Sequence, residues 1–173
     1  MSRLSSLVCA SSVLLAACGA KQATATAVDP ATLIRGSWSC DFAGKDITNG
    51  EEISGAYSVS YVSDGTWAAS GVWKSVFEKK SVELGIVGRG TWTVSDGKLE
   101  EKSTFNVANW GKLGGETFDH GQYNRAMSIY FRENPDLDPL KRTMVTTFSE
   151  LTPVSMAGAD QDGVQIACER PKD

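Results

Sequence analysis

The chain has 173 residues, with 17 basic against 21 acidic side chains and a net charge of −4. With no basic cluster to neutralise phosphates, these counts exclude a nucleic-acid-binding protein of the electrostatic kind. No stretch after the first 17 residues is apolar enough for long enough to cross a bilayer as a helix.

In chain order, Met1, Ser2 and the cationic Arg3 precede an apolar run with interspersed serines that ends at Ala17. A positive start, a short apolar region and small residues at its end make a secretory signal. Leu15-Ala16-Ala17-Cys18 resembles the lipobox of bacterial lipoprotein precursors. That resemblance implies a diacylglycerol on the Cys18 sulfur, removal of residues 1–17 and acylation of the new amino terminus. An ordinary cleaved signal with an incidental Cys18 is the alternative. Two or three acyl chains anchor stably where one does not. Gly19 stands where many inner-membrane lipoproteins carry an aspartate, so the resemblance implies the outer membrane of a Gram-negative cell, with palmitate-type acylation and a periplasmic domain. Residues 18–32, rich in alanine and threonine and lacking periodicity, read as a tether.

The folded domain is then expected over 33–173. The 173 residues less the 17 of the signal leave 156, and the loss of Arg3 takes the net charge from −4 to −5. That is one domain able to build its own core. With Cys9 in the signal and Cys18 acylated, Cys40 and Cys168 remain, in a compartment that permits disulfides. A bridge between the two ends of the domain is the expected use. A zinc site is the competing one, but two cysteines without nearby histidines suit it poorly.

The body reads as short antiparallel strands. From Ile53 to Tyr61, residues Ile53, Gly55, Tyr57, Val59 and Tyr61 share one face and serines and alanines the other, which predicts a half-buried strand. Ser63-Asp64-Gly65 predicts a turn before a strand from Thr66, and Ser95-Asp96-Gly97 repeats the device after Gly88-Arg89-Gly90-Thr91-Trp92-Thr93-Val94. Next comes a strand with Leu99, Ser103 and Phe105 on the face of Glu101. Further strands are expected over 33–41, within 75–87, and over 126–132, 143–151 and 164–169. In 126–132, Met127, Ile129 and Phe131 are expected inward. Eight or nine strands result, with at most a turn or two of helix. The fold class is all-β: a small antiparallel up-and-down barrel of 8–9 strands, with a sandwich as the alternative. A Cys40–Cys168 bridge would join first and last strands, as closure requires, and glycines at 55, 71, 85, 88 and 90 supply bends or bulges.

Gly36-Ser37-Trp38 on the expected first strand resembles the Gly-x-Trp of lipocalins, and the "SDGTW … GRGTWTVSDGKL" pattern is similar to small lipocalin-like lipoproteins. The resemblance covers residues 33–105. It implies a barrel whose base is closed by Trp38 and whose open end holds an apolar ligand.

Chemistry is sparse. The single histidine, His120, follows Asp119, but no Gly-x-Ser-x-Gly elbow accompanies them. Glu51/Glu52 and Glu100/Glu101 read as solvated strand ends rather than an acid/base pair. Asp160-Gln161-Asp162-Gly163 is a fragment of a calcium loop without the remaining ligands, and Gly85, Gly88 and Gly90 do not match a phosphate loop. No catalytic residue, metal site or cofactor is expected. Tyr57, Tyr61, Trp67 and Trp73 are the candidate cavity lining. Trp110 is expected on a long glycine-rich loop, 106–125, which with 132–142 would flank the barrel mouth.

The function expected is therefore a non-enzymatic, membrane-anchored envelope protein that binds a small apolar ligand or an envelope protein at the mouth. The alternatives are an inhibitor of a protease or lysozyme acting through the 106–125 loop, and a purely structural component.

Overall fold

A computed structural model describes residues 28–47 and 50–172. The period-2 segments form strands β1 (Gly36–Lys45), β2 (Glu52–Tyr61), β3 (Thr66–Phe77), β4 (Lys80–Ser95), β5 (Lys98–Leu113), β6 (Glu116–Thr117), β7 (Thr143–Leu151), β8 (Ser155–Asp160) and β9 (Gln165–Glu169). All pairings are antiparallel. The order β4-β3-β2-β1-β9-β8-β7-β5 closes through β4–β5, and the two-residue β6 is an extra strand on the end of β5. This chain is a closed eight-stranded β-barrel with one added strand. Cys40 lies directly opposite Cys168 in the β1–β9 pair and the two form a disulfide, so first and last strands are joined covalently.

The hairpins follow their turn chemistry. Asp96 and Gly97 have φ of 50° and 73°, as a two-residue turn matched to strand twist requires, and Gly114 and Gly115 do the same at 60° and 90°. Glu78 and Lys79 take φ of 49° and 64° without the freedom of glycine or asparagine. A side chain in that region costs about 1 kcal/mol or more. The double substitution Glu78→Asn, Lys79→Gly is expected to raise stability by about 1 kcal/mol, measured by urea unfolding; a loss would show that the β3–β4 turn has another geometry.

One end of the barrel is sealed. Asp29 caps the short helix α1 (Pro30–Ile34), accepting from the Ala31 amide at 3.1 Å. Ile34 and Trp38 are fully buried there, and Trp38 Nε1 donates to the Ile34 carbonyl at 2.6 Å. Arg170, just past β9, lies 3.8 Å over the Trp38 ring and donates to the carbonyls of Leu33, Arg35, Ser37 and Pro153. Above this floor Val59, Tyr61, Trp92, Leu99, Met156 and the disulfide fill the lower barrel, with Tyr61 and Trp92 edge-to-face at 5.5 Å.

Four expectations are corrected. Residues 126–132 are not a strand: they belong to α2 (His120–Glu133), so helix content exceeds a turn or two. Asp119 accepts from the amides of Gly121 and Gln122 and starts that helix, and Tyr123, Met127 and Phe131 recur every four residues as its half-buried stripe. Met127, Ile129 and Phe131 also fit a period of two, but Ile129 is half exposed. Second, β1 begins at Gly36 because the preceding residues form α1. Third, the expected segments 75–87 and 88–94 are the end of β3 and one continuous β4, and the tally of nine is completed by β6 and β8. Fourth, Phe105 does not share the face of Glu101. A register shift at Arg89/Gly90 inserts Thr104, turning Phe105 outward beneath the Arg89 guanidinium at 5.1 Å.

Candidate ligand cavity

The inward positions of the upper barrel are too small to fill it. On β3 these are Ala69 and Gly71 between Trp67 and Trp73, and on β4 Gly88 beside Ile86. Gly71 is required by its neighbour, since a Cβ there would run into the Ala56 carbonyl and Tyr57. The space left is a cavity of about 190 Å³ lined mainly by Phe42, Tyr57, Trp67, Trp73, Ile86 and Asn106. Above it, between the barrel rim and α2, a second space of about 710 Å³ is lined by Trp73, Ser75, Val82, Leu113, Phe118 and Met127, among others. Trp73 lines both.

The cover over this upper space is α2, held at the sheet edge by an amide. β7 pairs with β5 only over Lys98–Lys102 and β6 only at Lys112 and Leu113, so between them that edge of β5 has no strand. There Asn124 of α2 substitutes for a strand. Its Oδ1 accepts from the Ala108 amide at 3.0 Å and its Nδ2 donates to the Ala108 carbonyl at 2.7 Å. Phe118 packs on Gly111 and lies 5.8 Å from the Tyr123 ring. No residue of α2 is fully buried, so little apolar surface holds the cover down.

Below the aromatic cavity lies a polar cluster. Tyr61 is 3% exposed and its hydroxyl donates to Glu101 Oε1 at 2.9 Å. Glu101 projects inward from β5, opposite Trp92 on β4 and Met144 on β7. Burial pushes its carboxyl up to about 7, and the Tyr61 hydrogen bond offsets part of that rise. Burial first, then the nearby Glu101 and Asp160 charges, holds the Tyr57 hydroxyl well above its ordinary range. Tyr57, Tyr61, Glu101, Thr146 and Phe148 are among the residues around a small void of about 10 Å³, so Tyr57 borders both this void and the aromatic cavity.

Of the candidate lining residues, Tyr57, Trp67 and Trp73 meet in the aromatic cavity, while Tyr61 belongs to the packed core beneath it. Trp110 is on β5, not on a loop. It pairs with Gly85, where a Cβ would collide with its ring, and it lies on the outer wall with Asp41, Lys74 and Glu83. The 106–125 segment is the upper half of β5, β6 and the start of α2, so it offers no long protruding loop. Cys18 lies outside the described residues. The residues missed from the sequence are Phe42, Ile86, Asn106 and above all Glu101. Its signal was present, for it shares an alternating face with Leu99 and Ser103.

No protein-family model matches the chain, and no curated protein matches it. Among solved structures, one described as a redesigned beta barrel aligns with 83% of this chain and 96% of its own length, at 10% identity and a TM-score of 0.33.

Proposed function

We propose that this chain is a non-enzymatic, lipocalin-like carrier that holds one small, mostly apolar molecule in the upper barrel, anchored by acylated Cys18 to the outer membrane and facing the periplasm. The observation that carries the binding reading is the unfilled upper half above a solid floor. Spaces of about 190 and 710 Å³ meet at Trp73, on the scale of known ligand pockets of ~300–1,000 Å³. The sealed end with Trp38 and Arg170 leaves the α2 end as the route of entry. A catalytic role gains no support from His120, which is exposed at the start of α2 beside an Asp119 carboxylate engaged in capping. The lipobox resemblance supports the anchor.

The test uses the Cys18→Ser chain, which cannot be acylated and needs no detergent. It is expected to bind the neutral probe diphenylhexatriene with a rise in fluorescence. Ser75→Trp, which places a ring in the mouth, is expected to weaken that binding at least tenfold. Equal affinity in both chains, or none in either, would remove the cavity reading.

A further inference from the structure

Glu101 is the feature that an apolar carrier leaves unexplained. A carboxyl sunk in a barrel is costly unless something compensates it. Among the described residues its hydrogen-bond partner is the Tyr61 hydroxyl, on Oε1 alone, and no cation faces it. The ion pairs seen among the described residues, Lys141–Asp138 and Arg142–Asp162, lie elsewhere. The void beside it, about 10 Å³, has room for one water-sized group. An ammonium group is of that size. Tyr57 lines both this void and the aromatic cavity, where Trp67, Trp73 and Phe42 present rings. A carboxylate at the end of an aromatic-walled space suits a cation on an apolar tail, since ring faces and carboxylate both attract positive charge.

Building on the carrier reading, we propose that the ligand is a primary amine: its ammonium group sits in the void against Glu101 and the Tyr57 hydroxyl, and its aryl or alkyl tail lies among Trp67, Trp73 and Phe42. A ligand ending in a carboxylate is excluded by the same acid. A neutral hydroxyl can donate one hydrogen bond there but cannot neutralise the charge.

The Cys18→Ser chain would be titrated at pH 8 with 2-phenylethylamine, 2-phenylethanol and 3-phenylpropanoate, following tryptophan fluorescence. The amine is expected to bind at least tenfold tighter than the alcohol, and the acid weakest. In Glu101→Gln, which keeps an oxygen to accept from Tyr61, the amine-to-alcohol ratio is expected to fall to about one. A ratio near one in the parent chain, a ratio unchanged by Glu101→Gln, or no binding of any of the three would overturn the amine assignment. Diphenylhexatriene separates the two readings: if it still binds, the carrier reading stands without the amine, and if it does not, both fall.

Discussion

Replacing Cys40 and Cys168 together by alanine is expected to lower the free energy of unfolding by about 5 kcal/mol. The two cysteines are 128 residues apart in sequence and directly opposite in the β1–β9 ladder. The bridge therefore closes a loop that spans nearly the whole domain, and the chain-entropy cost of keeping such ends together in the unfolded state is the largest single constraint on this fold. The ladder it staples is also short, since the five residues of β9 pair only with Ser39 to Ala43 of β1. Once the bridge is gone, β1–β9 is where the barrel opens, exposing two strand edges. Urea unfolding of the double variant beside the parent would measure the loss, and hydrogen exchange would place the first opening at β9. A loss below 1 kcal/mol would show that Trp38 and Arg170 hold the seam without the bridge.

Raising the pH from 4.5 to 8 is expected to remove about 3 kcal/mol of stability through Glu101 alone. Its carboxyl titrates near 7 when folded and near the ordinary 4.5 when unfolded. Between those values the folded chain keeps a proton that the unfolded chain has released. The contribution is thus complete below pH 4.5, declines as the pH climbs and is gone once it has passed the folded value. Glu101→Gln cannot ionise and retains an acceptor for Tyr61. It should unfold at higher urea than the parent at pH 8, and the advantage should shrink toward pH 5. Parallel stability profiles for the two chains would place Glu101 in contact with water rather than in the barrel.

Much of the barrel was legible because its strands are half buried and their alternation is clean. Tyr57, Val59 and Tyr61 face inward as their spacing demands, the Asp-Gly turns fall where expected, and Trp38 plugs the floor. The helix α2 was illegible because Met127, Ile129 and Phe131 satisfy a period of two, while the evidence for helix lay in a cap about two to three turns away at Asp119. Strand β8 is made of small residues, Ala157, Gly158 and Ala159 among them, and carries no apolar signature of its own. Trp110 was misplaced because the glycines around it resemble a loop, when Gly85 and Gly111 are there to let rings approach the sheet. Glu101 was passed over for a different reason. Between Glu100 and Lys102 it reads as one of a run of solvated charges, although it shares the face of Leu99 and Ser103 that the closing of β5 against β4 and β7 puts inside. Arg170 escaped notice likewise, since its role depends on a tryptophan more than a hundred residues earlier.

The most direct measurement is native mass spectrometry of the chain released from the envelope of its own host in mild detergent, with the Ser75→Trp variant prepared alongside. The expected result is a parent chain that carries one small molecule, lost on treatment with organic solvent, and a variant that arrives without it. Parent and variant both arriving at the mass of the bare acylated chain would contradict the carrier function.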